Sequence, residues 1–294
     1  MADLLNLFDD LERQTTPDRE KIIRAPFGYP GGKSRSAKHI LALLPRYKTY
    51  VEPFGGSGVV LLNRPTCDLE VFNDRYAGVV AFYRCVQDDT KYKLLAEKCD
   101  LSIMSREEFL LCRDTWQRPH LDDVERAYRW IYMSQYSFAS LCRNFGRATS
   151  GKSNAGKLRE KAAILPWLHE RLARVQIENL DFETCILDYD SHDTVFYLDP
   201  PYLEVNTGIY SNREFPYQDH IRMLDAVFRC KGFVAVSSYR NQLYDSYKWD
   251  DVQEWDSFVS MKSLSYAGNK AQLKDLESRD HAREVLYIKE RSDG

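Results

Sequence analysis

The sequence contains no long apolar run. No uninterrupted hydrophobic stretch approaches the ~20 residues that a membrane-spanning helix needs. The N-terminus also lacks the basic residues of a secretory signal, because its first charged positions are Asp3, Asp9, Asp10 and Glu12. We therefore expect neither a membrane anchor nor export.

Paired cysteines are also missing. The seven cysteines are scattered, none of them in a Cys-x-x-Cys pair, and the six histidines are equally dispersed. Zinc sites and disulfide frameworks need clustered or paired residues, so neither is expected. We expect reduced, mostly buried cysteines in a cytoplasmic protein, and no metal.

The sequence lacks both common glycine fingerprints for nucleotides. Gly32-Lys33-Ser34 resembles the end of a phosphate-binding P-loop, but the first glycine of that motif would fall on Phe27, and no hydrophobic strand precedes it. The glycine-rich run at residues 55–58 does not have the Gly-x-Gly-x-x-Gly spacing of dinucleotide-binding folds. A P-loop NTPase is therefore excluded, and a dinucleotide fingerprint is absent.

The net charge is only −3, which by itself does not indicate a nucleic-acid partner. The distribution of charge is more informative, because residues 140–175 carry +6 and the rest of the chain sums to −9. Gly146, Gly151 and Gly156 interleave with these charges, as suits a loop that follows a phosphate backbone. A solvated charged face is the alternative. The basic residues of this segment are Arg143, Arg147, Lys152, Lys157, Arg159, Lys161, Arg171 and Arg174.

A strand–turn–helix unit is present near the N-terminus. Residues 49–54 are typical of a strand, Gly55-Gly56-Ser57-Gly58 of a tight turn, and residues 59–62 of the start of a helix. Backbone without Cβ atoms can approach a ligand closely, so this unit predicts a nucleotide-binding turn. A second strand at residues 69–72 ends in Asn73-Asp74, where an acidic residue usually holds a ribose hydroxyl pair.

Asp199-Pro200-Pro201-Tyr202 follows a β-branched and aromatic run at residues 194–198, which predicts a buried strand. Two prolines cannot continue a sheet, so the chain leaves the strand in a stiff, extended form. A carboxylate, a carbonyl and an aromatic ring then lie at the carboxyl end of a strand, where open α/β sheets bind ligands. An amino group on a planar base suits this arrangement. Asp199 and the Pro200 carbonyl would accept its two N–H bonds, and Tyr202 would stack on the ring.

In their order along the chain, these motifs resemble those of the Dam-type (D12 class, alpha group) DNA adenine-N6 methyltransferases. The resemblance rests on Tyr29-Pro30-Gly31-Gly32-Lys33, residues 51–58, Asn73-Asp74 and residues 199–202. It implies methyl transfer from S-adenosyl-L-methionine, released as S-adenosyl-L-homocysteine, to the N6 amino group of a flipped-out adenine in double-stranded DNA. It also implies an α/β, Rossmann-like fold, in which a mostly parallel seven-stranded sheet carries helices on both faces and a mainly helical segment is inserted for target recognition. A restriction endonuclease partner is compatible with this family.

The resemblance also assigns site residues. Catalysis falls to Asp199, Pro200, Pro201 and Tyr202. Lys33 would lie near the carboxylate end of the methyl donor, and Asp74 would bind its ribose. Asp181 would lie beside the donor's adenine, unless it only caps a helix. The residues expected to bind the donor are Tyr29, Gly31, Gly32, Lys33, Glu52, Phe54, Gly55, Gly56, Ser57, Gly58, Asp74, Asp181 and Asp199.

This family recognises its DNA sequence in the segment before the catalytic motif. Arginine suits guanine and asparagine suits adenine, so both residue types are candidates for base or phosphate contacts. The Asn-Val-Pro-Phe-Gly stretch of GATC-reading members does not occur here, so GATC specificity is not supported. The DNA-binding candidates are Arg143, Asn144, Arg147, Lys152 and Lys157.

These expectations divide the chain into a flexible tail at residues 1–24, a catalytic core at residues 25–90 and 165–294, and a target-recognition insertion at residues 91–164. Two alternatives stay open. An Asp-Pro-Pro-Tyr site suits any planar amine, including cytosine N4 or an RNA base, and a catalytically inactive DNA-binding regulator is the second alternative. The oligomeric state is also open.

Overall fold

The computed structural model describes residues 25–147, 153–203, 215–257 and 282–292, so the predicted N-terminal tail lies outside the described residues. Seven strands of the described chain form one sheet. They are β1 Thr49–Glu52, β2 Leu69–Asn73, β3 Val175–Glu178, β4 Thr194–Leu198, β5 Phe233–Tyr239, β6 Asp251–Ser257 and β7 Ala282–Lys289.

Eleven α-helices and one short 3-10 helix, Phe138–Ser140, complete the described residues. The α-helices are α1 Ala37–Leu43, α2 Val59–Asn63, α3 Ala77–Gln87, α4 Lys91–Asp100, α5 Arg106–Thr115, α6 Asp123–Tyr136, α7 Lys157–Ala162, α8 Leu165–Leu172, α9 Phe182–Asp188, α10 Tyr217–Arg229 and α11 Gln242–Asp245.

The strand order in the sheet is β3-β2-β1-β4-β5-β7-β6. The first five strands in this order are parallel, and β7 runs antiparallel to both of its neighbours. In the centre, Thr49 of β1 is in register with Leu69 of β2 and with Thr194 of β4. The predicted Rossmann-like sheet, mostly parallel and seven-stranded, is confirmed.

Both faces of the sheet are buried, because successive strand residues point to opposite sides. Tyr50, for example, belongs to the apolar cluster formed with α1 to α8, whereas its neighbour Val51 packs with α9, α10 and α11. The β4 residues are buried along the whole strand. Helices therefore cover both faces, as predicted, although most of them lie on one side.

The larger apolar cluster is continuous between the sheet and the helices of the predicted insertion. The Trp130 ring of α6 packs edge-on against Phe27 with 4.6 Å between centroids, and Phe27 in turn contacts Phe82 of α3. A Cβ atom on Gly78 would lie 2.1 Å from the Trp130 ring, so this glycine lets α3 and α6 approach closely. The assignment of residues 91–164 to target recognition stays a prediction.

One strand of the sheet was not predicted as an element. Strand β6 reads Asp-Val-Gln-Glu-Trp-Asp-Ser, which is polar and lacks a β-branched run, and it forms one edge of the sheet. It forms because residues 251–257 pair along their whole length with β7. Helix α5 begins with a side-chain cap, since the Ser105 hydroxyl accepts a hydrogen bond from the Glu108 amide.

The seven cysteines are free thiols. Five of them are buried, as expected in the sequence analysis. Over residues 25–147, 153–203, 215–257 and 282–292, no helix combines the length and hydrophobicity needed to cross a membrane.

Candidate active site and candidate DNA-binding loop

The carboxyl ends of β1, β2 and β4 meet at one edge of the sheet. The chain runs outward from β1 to β2 and β3 and then returns to β4 on the other side of β1, so a topological switch point lies between β1 and β4. Open α/β sheets bind their ligands at such a point. The glycine turn after β1, Asp74 after β2 and Asp199 after β4 therefore lie on the same edge.

The glycine turn after β1 is shaped by its packing. Gly56 and Gly58 have φ angles of 51° and 61°, in the left-handed region that side chains rarely adopt. A Cβ on Gly55 would lie 2.2 Å from the Phe72 ring, and a Cβ on Gly56 would lie 3.0 Å from the Tyr29 ring. These residues are therefore glycines because the turn lies tightly between two aromatic rings.

Residues 28–33 form a second turn, the lysine turn, which lies against the glycine turn. The Gly32 amide donates to the Tyr29 carbonyl at 3.1 Å, and Gly31 has a φ of 71°. A Cβ on Gly32 would lie 3.7 Å from the Ser57 hydroxyl. The two predicted donor-binding motifs are thus in direct contact.

Asp74 is buried and held from two sides. Its Oδ2 accepts the Gly56 amide and its Oδ1 accepts the Tyr76 amide, each at 2.7 Å. Burial raises the pKa of Asp74 to about 6, although the two N–H donors act in the opposite direction. The carboxylate is therefore fixed beside the glycine turn, and each oxygen keeps a lone pair for a hydroxyl group.

Asn73 connects three loops at this edge of the sheet. Its side-chain amide donates to the carbonyls of Pro53 and Leu180, and its Oδ1 accepts the Leu180 amide at 2.7 Å. Asn73 is fully buried. Sequence reasoning gave this residue no role, since its partners follow two other strands.

Asp199 forms an ion pair with Lys33, with 2.7 Å between Oδ1 and Nζ. Only 5% of the Lys33 side chain is exposed, and Nζ also donates to the Gly31 carbonyl at 2.9 Å. Burial raises the pKa of Asp199, and the Lys33 ammonium partly opposes this effect. The lysine predicted to lie near the donor's carboxylate therefore pairs with Asp199.

The rest of the Asp-Pro-Pro-Tyr motif lies beside this pair. Pro200 is buried, and Pro201 and Tyr202 are half-buried. The Lys33 ammonium lies 4.9 Å from the Tyr202 ring centroid, and Tyr239 meets this ring edge-on at 4.7 Å. The motif thus presents a carboxylate and an aromatic ring together, as predicted.

A second carboxylate, Glu284 on β7, was not found by sequence reasoning. Its Oε1 lies 3.9 Å from Lys33 Nζ. Its Oε2 accepts hydrogen bonds from Ser36 Oγ and, at 3.2 Å, from the Trp255 ring N–H. Glu284 belongs to no local motif of the site. It lies far from Asp199 in the sequence and comes close to Lys33 only because β7 pairs with β5 in the sheet.

Glu52 lies at the end of β1 and is buried, with 2% of its surface exposed. Its carboxyl accepts the Tyr50 hydroxyl at 2.7 Å. Burial raises the pKa of Glu52 to about 8, so this group is mainly protonated at neutral pH. The structure thus places Glu52 in the core below the glycine turn.

Phe54 and Asp181 belong to an aromatic cluster at the same edge. Phe54 stacks on Phe182 with 5.4 Å between centroids, and Phe215 meets both rings edge-on. Asp181 caps α9 by accepting the Glu183 amide, and its second oxygen pairs with Arg222 at 2.7 Å. The N-cap interpretation of Asp181 is confirmed.

The DNA-binding candidates near residue 140 lie on a closed loop. Residues 137–146 form this loop, which is held by the Ser137–Phe145 bridge and by the Phe138 amide donating to the Asn144 carbonyl at 2.8 Å. Arg143, Asn144 and Arg147 are exposed. Lys157 is the first residue of α7, and Lys152 lies outside the described residues.

The 137–146 loop contacts the lysine turn. Ser140 and Cys142 have φ angles of 58° and 56°, which are strained for residues with side chains. A Cβ on Gly28 would lie 2.1 Å from Ser140 Oγ, and the Gly28 carbonyl accepts the Ser134 hydroxyl at 2.6 Å. The loop that carries Arg143 therefore packs against Gly28, the residue before Tyr29.

The interpretation of residues 140–175 as one phosphate-following loop is wrong for its second half, which forms α7 and α8. Arg171, with 10% of its side chain exposed, makes a bidentate ion pair with Glu70 of β2, with N···O distances of 2.7 and 2.8 Å. Arg159 pairs with Asp100, and Lys161 donates to the Ala25 carbonyl. Arg171 and Lys161 thus join distant parts of the sequence within the fold, whereas the Arg159–Asp100 pair is exposed.

The chain matches the model of the D12 class N6 adenine-specific DNA methyltransferase family over residues 29–264. It is 27% identical over 223 residues to the DNA N-6-adenine-methyltransferase of Escherichia phage P1, a match that covers 72% of this chain and 29% of the phage protein. It is 28% identical over 211 residues to modification methylase StsI of Streptococcus sanguinis, with 68% and 32% covered. The chain thus spans about a third of the length of these curated relatives.

Among solved structures, the rRNA methyltransferase aviRa from Streptomyces viridochromogenes aligns over 93% of each chain, with 14% identity and a TM-score of 0.36. The family match includes the lysine turn, the glycine turn, Asp74 and residues 199–202. These are the elements that the fold brings together at one edge of the sheet. The chain therefore belongs to the family of D12 class N6 adenine-specific DNA methyltransferases.

Proposed function

We propose that this chain transfers a methyl group from S-adenosyl-L-methionine to the N6 amino group of a flipped-out adenine in double-stranded DNA. The observation that carries the proposal is the position of Asp199. Its carboxylate lies at the carboxyl end of β4, is held by Lys33 at 2.7 Å, and is beside a glycine turn at the switch point of the sheet.

The residues around the glycine turn fit the methyl donor. Asp74 is oriented by two backbone amides and keeps lone pairs for the ribose hydroxyls. The Tyr29 ring and the Phe54–Phe182 pair supply flat apolar surfaces for the adenine and the methionine chain. When bound, the donor supplies an electrophilic methyl group on a positively charged sulfur.

Asp199 and the Pro200 carbonyl act on the target amine. The adenine N6 lone pair is delocalised into the ring, and hydrogen bonds from its two protons to these acceptors favour a localised lone pair. Most of the rate enhancement comes from holding the amine in near-attack geometry, and the fixed acceptors add electrostatic stabilisation. After transfer, the nitrogen is cationic and loses one N6 proton to Asp199 or to water.

Tyr202 and the 137–146 loop act on the DNA. A base within a duplex cannot reach Asp199, so the target nucleotide is extruded at a cost of a few kcal/mol. Stacking on Tyr202 is worth ~1–3 kcal/mol and offsets part of that cost. Arg143, Asn144, Arg147 and Lys157 contact bases or phosphates, which supply most of the affinity.

The test is to express the chain in a bacterial host free of DNA methylation and to sequence the genome with modification-sensitive reads. We expect N6-methyladenine at one sequence motif, and no modification from an Asp199→Asn variant that still folds. N4-methylcytosine would instead identify cytosine as the target. Unmodified DNA from soluble protein that binds S-adenosyl-L-methionine would indicate an inactive regulator, and either result would overturn the proposal.

A further inference from the structure

Glu284 belongs to the catalytic end of the sheet, although it lies beyond residue 264, where the family match ends. Only 9% of its side chain is exposed. Its Oε2 is held by Ser36 and Trp255, which leaves Oε1 facing Lys33 at 3.9 Å. The carboxylate is thus anchored on one oxygen and directed at the active-site lysine with the other.

The position of Glu284 is fixed by the sheet. Strand β7 lies between β5 and β6, and Glu284 is in register with Tyr239 on one side and Trp255 on the other. Tyr239 also contacts the ring of Tyr202. The backbone that carries Glu284 is therefore hydrogen-bonded on both edges, so the carboxylate cannot move far from the lysine.

Lys33 accordingly lies between two carboxylates, the half-buried Asp199 after β4 and the buried Glu284 of β7. One ammonium group cannot neutralise both Asp199 and Glu284. Glu52 is mainly protonated at neutral pH and so adds no charge of its own. Within the group of Lys33, Asp199 and Glu284, one carboxylate is therefore left without a matching cation, and Asp74 lies at the same edge of the sheet. Such an excess of negative charge favours a bound cation.

We propose that Glu284 is a positioning residue of the methyl-transfer site, which shares Lys33 with Asp199 and thereby favours a cationic methyl donor over its uncharged product. The inference rests on the proposed function, because Asp199 holds the amine that the donor's methyl group must approach. The sulfur of the donor is positive before transfer and neutral afterwards. A net negative site therefore binds the donor more tightly than it binds S-adenosyl-L-homocysteine.

The test is to measure dissociation constants by calorimetry for S-adenosyl-L-methionine, for S-adenosyl-L-homocysteine and for the cationic analogue sinefungin. Glutamine is nearly isosteric with glutamate, and its side-chain oxygen can still accept from Trp255. We expect Glu284→Gln to weaken the two cationic ligands by a factor on the order of ten. The affinity for S-adenosyl-L-homocysteine should change by less than about twofold.

Three variants serve as controls. Glu290→Gln makes the same charge change about 20 Å further along the chain from Glu284 and should alter no affinity. Glu284→Asp keeps the charge and should retain the preference for the cations. Lys33→Gln removes the positive charge between the two carboxylates. At pH 8.5 it should therefore increase the preference for the cationic ligands over S-adenosyl-L-homocysteine. This variant tests the inference independently if Glu284→Gln does not fold.

If Glu284→Gln weakens the binding of all three ligands by the same factor, Glu284 is a structural residue and the inference is wrong. The inference is also wrong if the preference for the cationic ligands does not change. These results are distinct from failure of the proposed function. In that case the unmodified protein would bind none of the three ligands, or would bind them and methylate no DNA.

Discussion

At the scale of single residues, the pairing of Lys33 with Asp199 is the main feature of the site. The resemblance predicted that Lys33 lies near the donor's carboxylate, and in the structure its ammonium pairs with Asp199 and donates to the Gly31 carbonyl. The Lys33 ammonium thus lowers the pKa of the carboxyl group that we propose accepts the target's N–H bond.

Replacing Lys33 by methionine should change the pH dependence of methylation. Burial and the Glu284 charge raise the pKa of Asp199, and the Lys33 ammonium lowers it. Without Lys33 the pKa of Asp199 rises, so the acid limb of the kcat/KM profile should move to higher pH. Methylation of a duplex substrate between pH 5.5 and 9 measures this shift, with Lys33→Arg as the charge-preserving control.

A loss of kcat/KM by the same factor at every pH would contradict this role for Lys33. It would indicate that the lysine only supports the turn at residues 29–32.

Glu52 should make stability depend on pH in the neutral range. The folded-state pKa of Glu52 is about 8, well above the 4.5 of a free glutamate side chain, so protonation stabilises the fold. This stabilisation is complete below the unfolded pKa and is lost as pH rises through about 8. The slope approaches about 1.4 kcal/mol per pH unit between the two values.

Urea unfolding at pH 6, 7 and 8 measures this effect. The free energy of unfolding of the Glu52→Gln variant should fall less with pH than that of the unmodified protein, because glutamine does not titrate and still accepts the Tyr50 hydroxyl. Both proteins keep Asp74, so its titration cancels in the difference. Parallel curves would show that Glu52 has an ordinary pKa.

At the scale of elements, the 137–146 loop and the lysine turn share a contact. Ser140 has a left-handed φ of 58° and its hydroxyl occupies the space that a Cβ on Gly28 would need. The strain at Ser140 is thus maintained by the packing around it. The loop proposed to meet DNA and the turn that carries Lys33 are positioned together.

Gly28→Ala should therefore weaken DNA binding. The added methyl would lie 2.1 Å from Ser140 Oγ and must displace the loop. Adding Ser140→Gly removes the clashing hydroxyl and suits the left-handed φ, so the double variant should recover most of the affinity. Fluorescence anisotropy with a labelled duplex measures both. The control is Gly156→Ala, where a Cβ would meet no atom within 4 Å.

Recovery in the double variant separates loop displacement from a general loss of folding. If Gly28→Ala binds DNA as well as the unmodified protein does, the two segments are not coupled.

Most elements at the site could be predicted from local sequence, because hydrophobic strands that end in glycine, asparagine or proline have characteristic compositions. Strand β4 before Asp199 begins and ends as predicted. Strand β6 could not be predicted, because its pairing with β7 decides it. Glu284 was missed for the same reason, and Arg171 was misassigned because its partner Glu70 is 101 residues away.

At the scale of the whole molecule, the basic segment divides into two classes of cation. Arg171 and Lys161 are not exposed and bind partners within the fold, whereas Arg143 and Arg147 are exposed on or beside the 137–146 loop. The charge of +6 in residues 140–175 therefore overstates what this segment offers to DNA.

Alanine at Arg143 and Arg147 should reduce the salt dependence of DNA binding. Each lost phosphate contact lowers the slope of log Kd against log salt by about 0.9. Anisotropy titrations between 50 and 300 mM salt measure the slope, and the affinity for S-adenosyl-L-methionine should not change. Arg229→Ala is the control, since this exposed arginine of α10 pairs with Glu183 of α9, and both helices cover the face of the sheet opposite to α6.

An unchanged slope with weaker binding would identify the two arginines as contacts to base edges rather than to phosphates. Equal losses of DNA and donor affinity would show that they support the fold.

The packing of Trp130 against Phe27 and Gly78 bears on how such proteins acquire new target sequences. Recombination between relatives at the boundaries of residues 91–164 would join a foreign α6 to a native α3 and leave the shared apolar cluster mismatched. Substitutions on the exposed loop leave that cluster intact. We therefore expect lineages of this chain to diversify by point mutation at the loop tip, and hybrid genes to survive only when the segment before Tyr29 is inherited with the insertion.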